Sequence, residues 1–349
     1  MTSDLLLRLK TEGNPLIDDE KVTFLWEGDI APHLIDDMHG WDRNPQPLQR
    51  NAPELWAFSF NLPRDAYLEY AFLDSATGDR VRDPHNKRRV NNGMGGQNHF
   101  FYMPDAAPTM LIRKRKEVPQ GTITRHITPT WMLADNGKRT IHLYRPPLDE
   151  PVPLLVVYDG NDYLKRGKLA VIVNNLIAEK RICPLAMAFL TNGGSRRLVE
   201  YACSEATLAW VDHEVLPLAR EELNLLDIEA HPGAYGVLGA SIGGLMALYT
   251  GVRMPHIFGK ILSQAGVFHF EQFDSITVDM VQHFPKRELR VWMDVGKHDF
   301  LLKSNQMMYR LLKSKDYHVS YHEFTGAHCN TAWRDDIWRG LENQFGLDD

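Results

Sequence analysis

The sequence is poor in cysteine and contains no long apolar run. Its three cysteines, Cys183, Cys203 and Cys329, lie far apart in a chain of 349 residues. An odd number of cysteines without C-x-x-C spacing argues against a disulfide framework and against a structural zinc site. No apolar stretch approaches the roughly 20 residues that a helix needs to cross a bilayer. We therefore expect neither a disulfide-stapled scaffold nor a membrane-spanning protein.

The sequence also lacks an excess of basic residues. Lys and Arg number 39 and Asp and Glu number 45, which gives a net charge of -6 with neutral histidine. This balance gives no reason to expect nucleic acid or an anionic membrane as a partner. Residues 1–10 have no basic start, no long apolar middle and no small-residue cleavage site, so we do not expect a secretory signal there. We therefore expect a cytoplasmic protein, and its oligomeric state stays open.

The first third of the chain has the pattern of short β-strands. After a lead-in at residues 1–20 that contains a short helix, alternating apolar and polar residues begin near residue 21. In the run 55–62, for example, Trp56, Phe58 and Phe60 would share one face of a strand. Residues 21–110 are therefore predicted to form an all-β, immunoglobulin-like sandwich, in which the polar stretch 86–96 is a loop. Residues 111–125, which include the basic run 113–116, are predicted to be a solvated linker.

Residues 126–349 follow a different pattern. Continuous apolar runs, such as 153–158 and 184–190, are typical of parallel strands covered on both faces. They alternate with segments that favour helices, and this alternation predicts an α/β domain with a mainly parallel sheet. The predicted helices include residues 164–179, 198–223 and 332–345, and the last predicted strand is 318–324. An antiparallel hairpin around residues 135–138 is expected at one edge of the sheet.

One short motif has the pattern of a catalytic nucleophile. The sequence Gly239-Ala240-Ser241-Ile242-Gly243 fits G-x-S-x-G and lies between a predicted strand and a predicted helix. A serine on such a sharp turn needs a strained backbone, and small neighbours let the strand and the helix approach each other. We therefore predict that Ser241 is a nucleophile and that the Ile242 N–H, at a helix N-terminus, donates to an oxyanion. The alternative is a glycine-rich turn with an incidental serine.

A nucleophilic serine needs a base and an acid on loops that follow later strands. His328 follows the last predicted strand, and Gly326 and Ala327 keep its loop short. Asp299 is favoured as the acid over Asp294 because it lies beyond a glycine turn, although a helix cap is its structural alternative. His328 is favoured as the base over four other histidines: His269, His318, His322 and the most serious competitor, His298.

Two other loops are expected at the same edge of the sheet. Gly160 and Asn161 directly follow the apolar run 153–158, and the backbone N–H of one of them would be the second oxyanion donor, unless the segment is a plain turn. Arg196 and Arg197 follow the run 184–190. They would either bind an anionic substrate or start a helix, and the sequence leaves both possibilities open.

Motifs spread over residues 118–345 together resemble a known family. They are Val118-Pro-Gln-Gly-Thr122, Tyr144-Arg-Pro-Pro147, Tyr158-Asp-Gly-Asn-Asp-Tyr163, Gly239-Ala-Ser-Ile-Gly-Gly244, Gly326-Ala-His328 and Trp333. In order and spacing they resemble the enterochelin esterase and esterase D-like branch of the α/β-hydrolases. The preceding region, with Tyr70-Ala-Phe-Leu-Asp74 and Arg82-Asp-Pro-His-Asn86, resembles the N-terminal early-set sandwich of enterochelin esterases.

The resemblance implies an α/β-hydrolase with Ser241 as nucleophile, His328 as base and an acid near Asp299, and with no metal or cofactor in catalysis. Enterochelin esterases cut the tri-serine lactone of a catecholate siderophore, which helps to release iron. The two-domain order therefore implies a serine esterase for a small-molecule ester of this kind. A feruloyl, acetyl-xylan or short-chain carboxylesterase is the alternative. A carbohydrate-binding module on a degenerate hydrolase scaffold is an alternative of another class, against which the intact catalytic set argues.

Overall fold

The computed structural model describes residues 2–133 and 137–347 of a chain that divides into two compact units. The first unit comprises Met1–Pro108 and two short later segments, Gly296–Phe300 and Thr325–Cys329. The second comprises Thr109–Val295, Leu301–Phe324 and Asn330–Asp349. Among the described residues, no helix has both the length and the apolar character that a membrane span requires.

The described part of the first unit is built almost entirely from strands. Its elements are α1 (Thr2–Glu12), β1 (Leu16–Asp18), β2 (Lys21–Glu27), β3 (His33–Asp36), β4 (Gln46–Pro47), β5 (Gln49–Ala52), β6 (Leu55–Asn61), β7 (Tyr67–Leu73), β8 (Arg80–Val81), β9 (Arg89–Asn91) and β10 (Gln97–Tyr102). The strands form two sheets in the orders β1-β2-β6-β5 and β4-β3-β7-β10-β9, and β8 pairs with β7. The pairings within both sheets are antiparallel. This unit is the predicted all-β sandwich.

An aromatic core holds the two sheets of the first unit together. Phe24 of β2 meets Tyr70 of β7 edge to face, with ring centroids 4.7 Å apart, a geometry that the ring quadrupoles favour. The aromatic residues predicted to share one face of β6 pack against this core: Trp56, Phe58 and Phe60. The prediction of a loop over residues 86–96 is wrong in part, because β9 lies within it and pairs with β10. Pairing with a neighbouring strand outweighs the polar composition of this stretch.

The remainder of the chain alternates strands and helices. Its elements are β11 (Thr122–Pro129), β12 (Lys138–Arg145), β13 (Leu154–Val157), α2 (Gly160–Lys165), α3 (Leu169–Ala178), β14 (Ala186–Leu190), α4 (Arg197–Tyr201), α5 (Glu205–Trp210), α6 (Leu216–Glu222), β15 (Tyr235–Ala240), α7 (Ile242–Arg253), β16 (Phe258–Gln264), β17 (His269–Phe270), β18 (Phe273–Asp274), α8 (Ile276–His283), β19 (Arg290–Gly296), α9 (Leu302–Ser314), β20 (His318–Phe324) and α10 (Asn330–Phe345). One sheet has the order β11-β12-β14-β13-β15-β16-β19-β20, and β17 and β18 form a separate hairpin.

The large sheet is mainly parallel and is covered on both faces, as predicted. Parallel pairing runs from β14 through β13, β15 and β16 to β19, while β12 is antiparallel to β11 and β14. Along β13, Leu154 and Val156 belong to one buried core and Leu155 and Val157 to the other. Strand side chains alternate between faces, so this division requires apolar layers on both sides. The predicted turn at Asp135 and Asn136 lies outside the described residues.

Two long predicted helices are broken in the structure. The segment predicted as one helix over 164–179 covers only the end of α2 and all of α3, and the two helices are separated near Gly167. A Cβ atom at Gly167 would lie 2.8 Å from the backbone oxygen of Tyr163, so this close approach excludes a larger residue. The segment predicted over 198–223 contains α4, α5 and α6, with a π-helical turn at Val211–Val215. The sequence-based prediction also missed the hairpin β17–β18 and the helix α8.

Candidate active site

Ser241 occupies a strained turn between β15 and α7. Its backbone has φ 58° and ψ -126°, a conformation that residues with a Cβ atom rarely adopt. The Ser241 N–H donates to the Gln264 carbonyl at 2.9 Å, and its own carbonyl accepts from the N–H groups of Gly244, Leu245 and Val267 at 2.9, 3.2 and 3.3 Å. These backbone contacts hold the turn in place. They confirm the predicted strand, turn and helix around this serine, which is half-buried.

Small residues allow this turn to form. A Cβ atom at Gly239 would lie 2.2 Å from the Gly243 carbonyl oxygen, so a side chain at Gly239 would separate the strand from the helix. At Gly244, a Cβ atom would lie 2.8 Å from the Ser263 hydroxyl oxygen on the neighbouring strand β16. The glycines therefore let the backbone of the turn lie close to its neighbours, as the G-x-S-x-G pattern predicts.

Two helix N-termini provide candidate oxyanion donors. Ile242 is the first residue of α7, and an N–H at that position has no partner within its own helix. Gly160 and Asn161 open α2, in which the N–H groups of Asp162 and Tyr163 already donate to the Asp159 carbonyl at 2.9 and 3.3 Å. Gly160 cannot carry a side chain, since a Cβ atom there would lie 2.4 Å from the carbonyl carbon of Phe189. The oxyanion role of all three residues remains a prediction.

An ion pair fixes the loop that leads into α2. The Asp159 backbone is left-handed, with φ 52°, and its carboxylate is buried. Arg197 donates to both carboxylate oxygens, at 2.7 and 2.6 Å, and Asn192 donates to one of them at 2.5 Å. This bidentate pair occupies the guanidinium of Arg197, which also opens α4. The arrangement favours a positioning role for Arg197 over direct binding of an anion, a role that the spacing in the sequence did not indicate.

Arg196, the neighbouring candidate, is exposed and lines a cavity of about 460 Å³. Lys138 lines the same cavity, and Arg139 also borders it while pairing with the buried Glu200 at 2.7 Å. Asn192, which contacts the Asp159 carboxylate, forms part of the wall. The cavity is therefore basic and adjoins the loop that carries the candidate oxyanion donors.

His328 and Asp299 form a hydrogen-bonded pair. Nδ1 of His328 lies 2.8 Å from a carboxylate oxygen of Asp299, whose side chain is fully buried. The Phe300 ring packs against the His328 ring with centroids 4.7 Å apart. Gly296 keeps the two loops close, since a Cβ atom there would lie 2.2 Å from the carbonyl oxygen of Gly326. A carboxylate at this nitrogen fixes the histidine tautomer and supports a positive charge on the ring.

Asp294, the alternative acid, faces other partners. Its carboxyl group is buried and accepts hydrogen bonds from the Gln264 amide at 3.1 Å and from the Trp292 indole at 2.8 Å. Burial raises the pKa of Asp294 well above its ordinary value, and the nearby Asp336 charge adds to the effect. A carboxyl group held towards its neutral form is a poor partner for an imidazolium. The geometry therefore favours Asp299 as the acid.

The histidines that compete with His328 for the role of base differ in burial and in hydrogen-bond partners. His298 is partly buried and, within the described part of the chain, its Nε2 has no hydrogen-bond partner, while burial lowers its pKa. His269 contacts Asp274 at 2.6 Å and His322 contacts Asp336 at 3.3 Å. His269 and His322 therefore contact carboxylates other than Asp299, which favours His328 as the base.

Three features together define the class of the α/β-hydrolases. They are a mainly parallel sheet between helical layers, a serine on a strained strand-to-helix turn, and a histidine–aspartate pair after later strands. The chain belongs to the family described as "Putative esterase", whose sequence model matches residues 134–343. The protein is thus a carboxylic ester hydrolase, and the family resemblance predicted from its motifs is confirmed.

Individual relatives extend the similarity to almost the whole chain. The iron(III) enterobactin esterase of Dickeya dadantii is 27% identical in an alignment that covers 94% of this chain and 89% of the relative. The solved ferric enterobactin esterase of Salmonella typhimurium has a TM-score of 0.81 at 21% identity and covers 98% of both chains. An enterobactin esterase of Shigella flexneri, solved in the presence of enterobactin, has a TM-score of 0.78 at 21% identity and covers 94% of both chains. At these identities the solved structures establish the shared fold.

Proposed function

We propose that the protein is a serine esterase that works through an acyl-enzyme, with Ser241 as nucleophile, His328 as base and Asp299 as the acid of the triad. The strained turn at Ser241 supports the nucleophile, because such strain persists only where the surroundings impose it. The 2.8 Å contact between His328 and Asp299 is the single observation that carries the assignment of base and acid. The three residues follow β15, β19 and β20 in the order expected of this class.

In the proposed reaction, the Ser241 hydroxyl oxygen attacks the ester carbonyl carbon while Nε2 of His328 takes the hydroxyl proton. The oxyanion of the tetrahedral intermediate accepts hydrogen bonds from the Ile242 N–H and from the N–H of Gly160 or Asn161. The bond to the alcohol oxygen then breaks, and His328 returns its proton to that oxygen, which leaves an acyl ester on Ser241.

The second half of the reaction repeats these steps with water. His328 removes a proton from a water molecule as its oxygen attacks the acyl carbon, and the proton then passes to the Ser241 oxygen as the acid product leaves. Throughout, the Nδ1–H group of His328 donates a hydrogen bond to the Asp299 carboxylate, and this tautomer lets Nε2 act as the base.

As substrate we propose a ferric catecholate siderophore ester. The relatives named as enterobactin esterases align along nearly the whole chain, including the first unit, which supports this choice over a hydrolase domain alone. The basic cavity lined by Lys138 and Arg196 also supports it, because a ferric tris-catecholate complex is an anion. In this proposal Arg196 attracts the complex, and Arg197 keeps the Asp159 loop in position.

A hydrolysis panel with the purified protein tests both parts of the proposal. It contains nitrophenyl acetate, methyl ferulate, an acetylated xylan oligomer, and ferric and iron-free enterobactin, each with Ser241→Ala as control. We expect turnover of the ferric siderophore well above that of the simple esters, and its loss in the variant. Turnover confined to simple or feruloyl esters would contradict the substrate, and activity unchanged by Ser241→Ala would contradict the mechanism.

A further inference from the structure

The hairpin β17–β18 exposes a pair of aromatic side chains. Its register places Phe270 opposite Phe273 and His269 opposite Asp274. Because opposite residues of an antiparallel pair share a face and successive residues alternate, the two phenyl groups lie on one face and the His269–Asp274 contact lies on the other. Phe270 is 42% exposed and Phe273 is 66% exposed.

The hairpin is held firmly although it has only two short strands. Such a hairpin is at best marginally stable in water by itself. Here the buried Phe268 anchors the base of the hairpin. The Ser304 hydroxyl oxygen accepts hydrogen bonds from the N–H groups of Phe268 and His269, at 3.1 and 2.8 Å. The 2.6 Å contact between His269 and Asp274 joins the two strands. The exposed phenyl groups are therefore presented on a fixed support.

Packing does not explain the two exposed phenylalanines. Neither Phe270 nor Phe273 belongs to a buried apolar cluster of the described residues, whereas Phe268, two positions earlier, does. Single exposed apolar residues are common, but an opposed aromatic pair on a two-residue turn forms a small apolar patch that has a solvation cost. Because the hairpin is held firmly, the two phenylalanines are a candidate contact site.

The hairpin starts beside the proposed nucleophile. The N–H of Val267 donates to the Ser241 carbonyl at 3.3 Å, and β17 begins two residues later. At about 3.3 Å per extended residue, the Cα atom of Phe270 lies within about 10 Å of that of Val267. Because β15 and β16 are parallel neighbours, the segment leaves β16 at the edge of the sheet where Ser241 lies.

We propose that Phe270 and Phe273 form an aromatic wall that binds the aryl group carried by the acyl part of the substrate and makes the enzyme selective for aryl-substituted esters. This inference rests on the proposed serine-esterase function and names the part of the substrate that the hairpin recognises. Aromatic rings prefer offset or edge contacts with centroids about 4.5–7 Å apart, which two opposed phenyl groups can offer to a planar ring.

Matched probes separate this inference from the siderophore proposal. The p-nitrophenyl esters of N-benzoylglycine and N-acetylglycine differ only in the aryl group, and both release nitrophenol. We expect the double variant Phe270→Ala/Phe273→Ala to lower kcat/KM for the benzoyl ester about tenfold and to leave the acetyl ester within about twofold of wild type. Ferric enterobactin, tested alongside, should lose about tenfold or more.

Phe284→Ala is the matched control, since Phe284 is 48% exposed and lies outside the hairpin. It should leave the ratio of the two glycine esters unchanged. A double variant with an unchanged ratio, or with equal losses on both esters, would overturn the aromatic wall. If ferric enterobactin is not turned over by the wild type but the benzoyl preference is present and depends on the two phenylalanines, the siderophore proposal fails and the wall stands.

Discussion

Replacing Asp299 by asparagine tests the proposed acid, because the amide has nearly the same shape as the carboxylate but carries no charge. The carboxylate lies 2.8 Å from Nδ1 of His328 and its side chain is fully buried, so water cannot take its place. An amide there would either donate to Nδ1, which shifts the His328 proton to Nε2, or accept with a neutral oxygen, which stabilises an imidazolium far less. The same change in a known serine hydrolase lowers kcat about 10⁴-fold, or about 5.5 kcal/mol at about 1.36 kcal/mol per tenfold. We expect a loss of about 10³- to 10⁴-fold in kcat for nitrophenyl acetate.

Asp294→Asn is the matched control for this prediction. Burial raises the pKa of Asp294, so an uncharged amide approximates the form that its site favours, and the Trp292 indole can still donate to it. We expect kcat to stay within about threefold of wild type. Thermal unfolding of both variants would show that they are folded. A larger loss of kcat in Asp294→Asn than in Asp299→Asn would refute the assignment of the acid.

Three further predictions concern the surroundings of the site. Gly160→Ala should lower both the melting temperature and kcat, because its Cβ atom would lie 2.4 Å from the carbonyl carbon of Phe189; the expected destabilisation of about 1–3 kcal/mol can be measured by denaturant unfolding. Arg197→Lys should reduce kcat about 10- to 100-fold while the protein stays folded, since lysine cannot bind both oxygens of Asp159; steady-state kinetics and circular dichroism would check this. Because burial raises the pKa of Asp294, the stability that its protonated form contributes is present at low pH and is lost as the pH rises from about 4 through the raised value. The melting temperature of Asp294→Asn relative to that of wild type should therefore be higher at about pH 8 than at about pH 5.

The parts of the fold and the site that depend on local constraints could be predicted from the sequence. The turn at Ser241 needs small residues next to it, and Gly239 and Gly244 mark that requirement directly in the sequence. The alternating cores along β13 require a continuous apolar run, which the sequence contains. The strand predicted over residues 318–324 is β20 with the same bounds, because turn residues flank its alternating pattern.

Features that depend on distant partners could not be predicted in this way. The ion pair between Asp159 and Arg197 joins residues 38 positions apart, and the pair between Arg139 and Glu200 joins residues 61 positions apart. The hairpin β17–β18 has strands of two residues and a turn with Glu271 at φ 55° in place of a glycine or asparagine. Neither its length nor its composition gives a strand signal, and its position becomes clear only from the contacts of Ser304.

The first unit also contributes to the position of the proposed base. The segment that leads into His328 belongs to this unit, and Thr325 is bound there by the N–H of Tyr67, which donates to its carbonyl at 3.1 Å. The Thr325 hydroxyl donates to the Asp65 carboxylate at 3.0 Å and accepts from the Lys297 ammonium group at 3.2 Å. A catalytic base must be held within about 0.5 Å of its working position. The sandwich therefore supports the histidine loop through these contacts. This structural role accounts for the sandwich without a sugar-binding function.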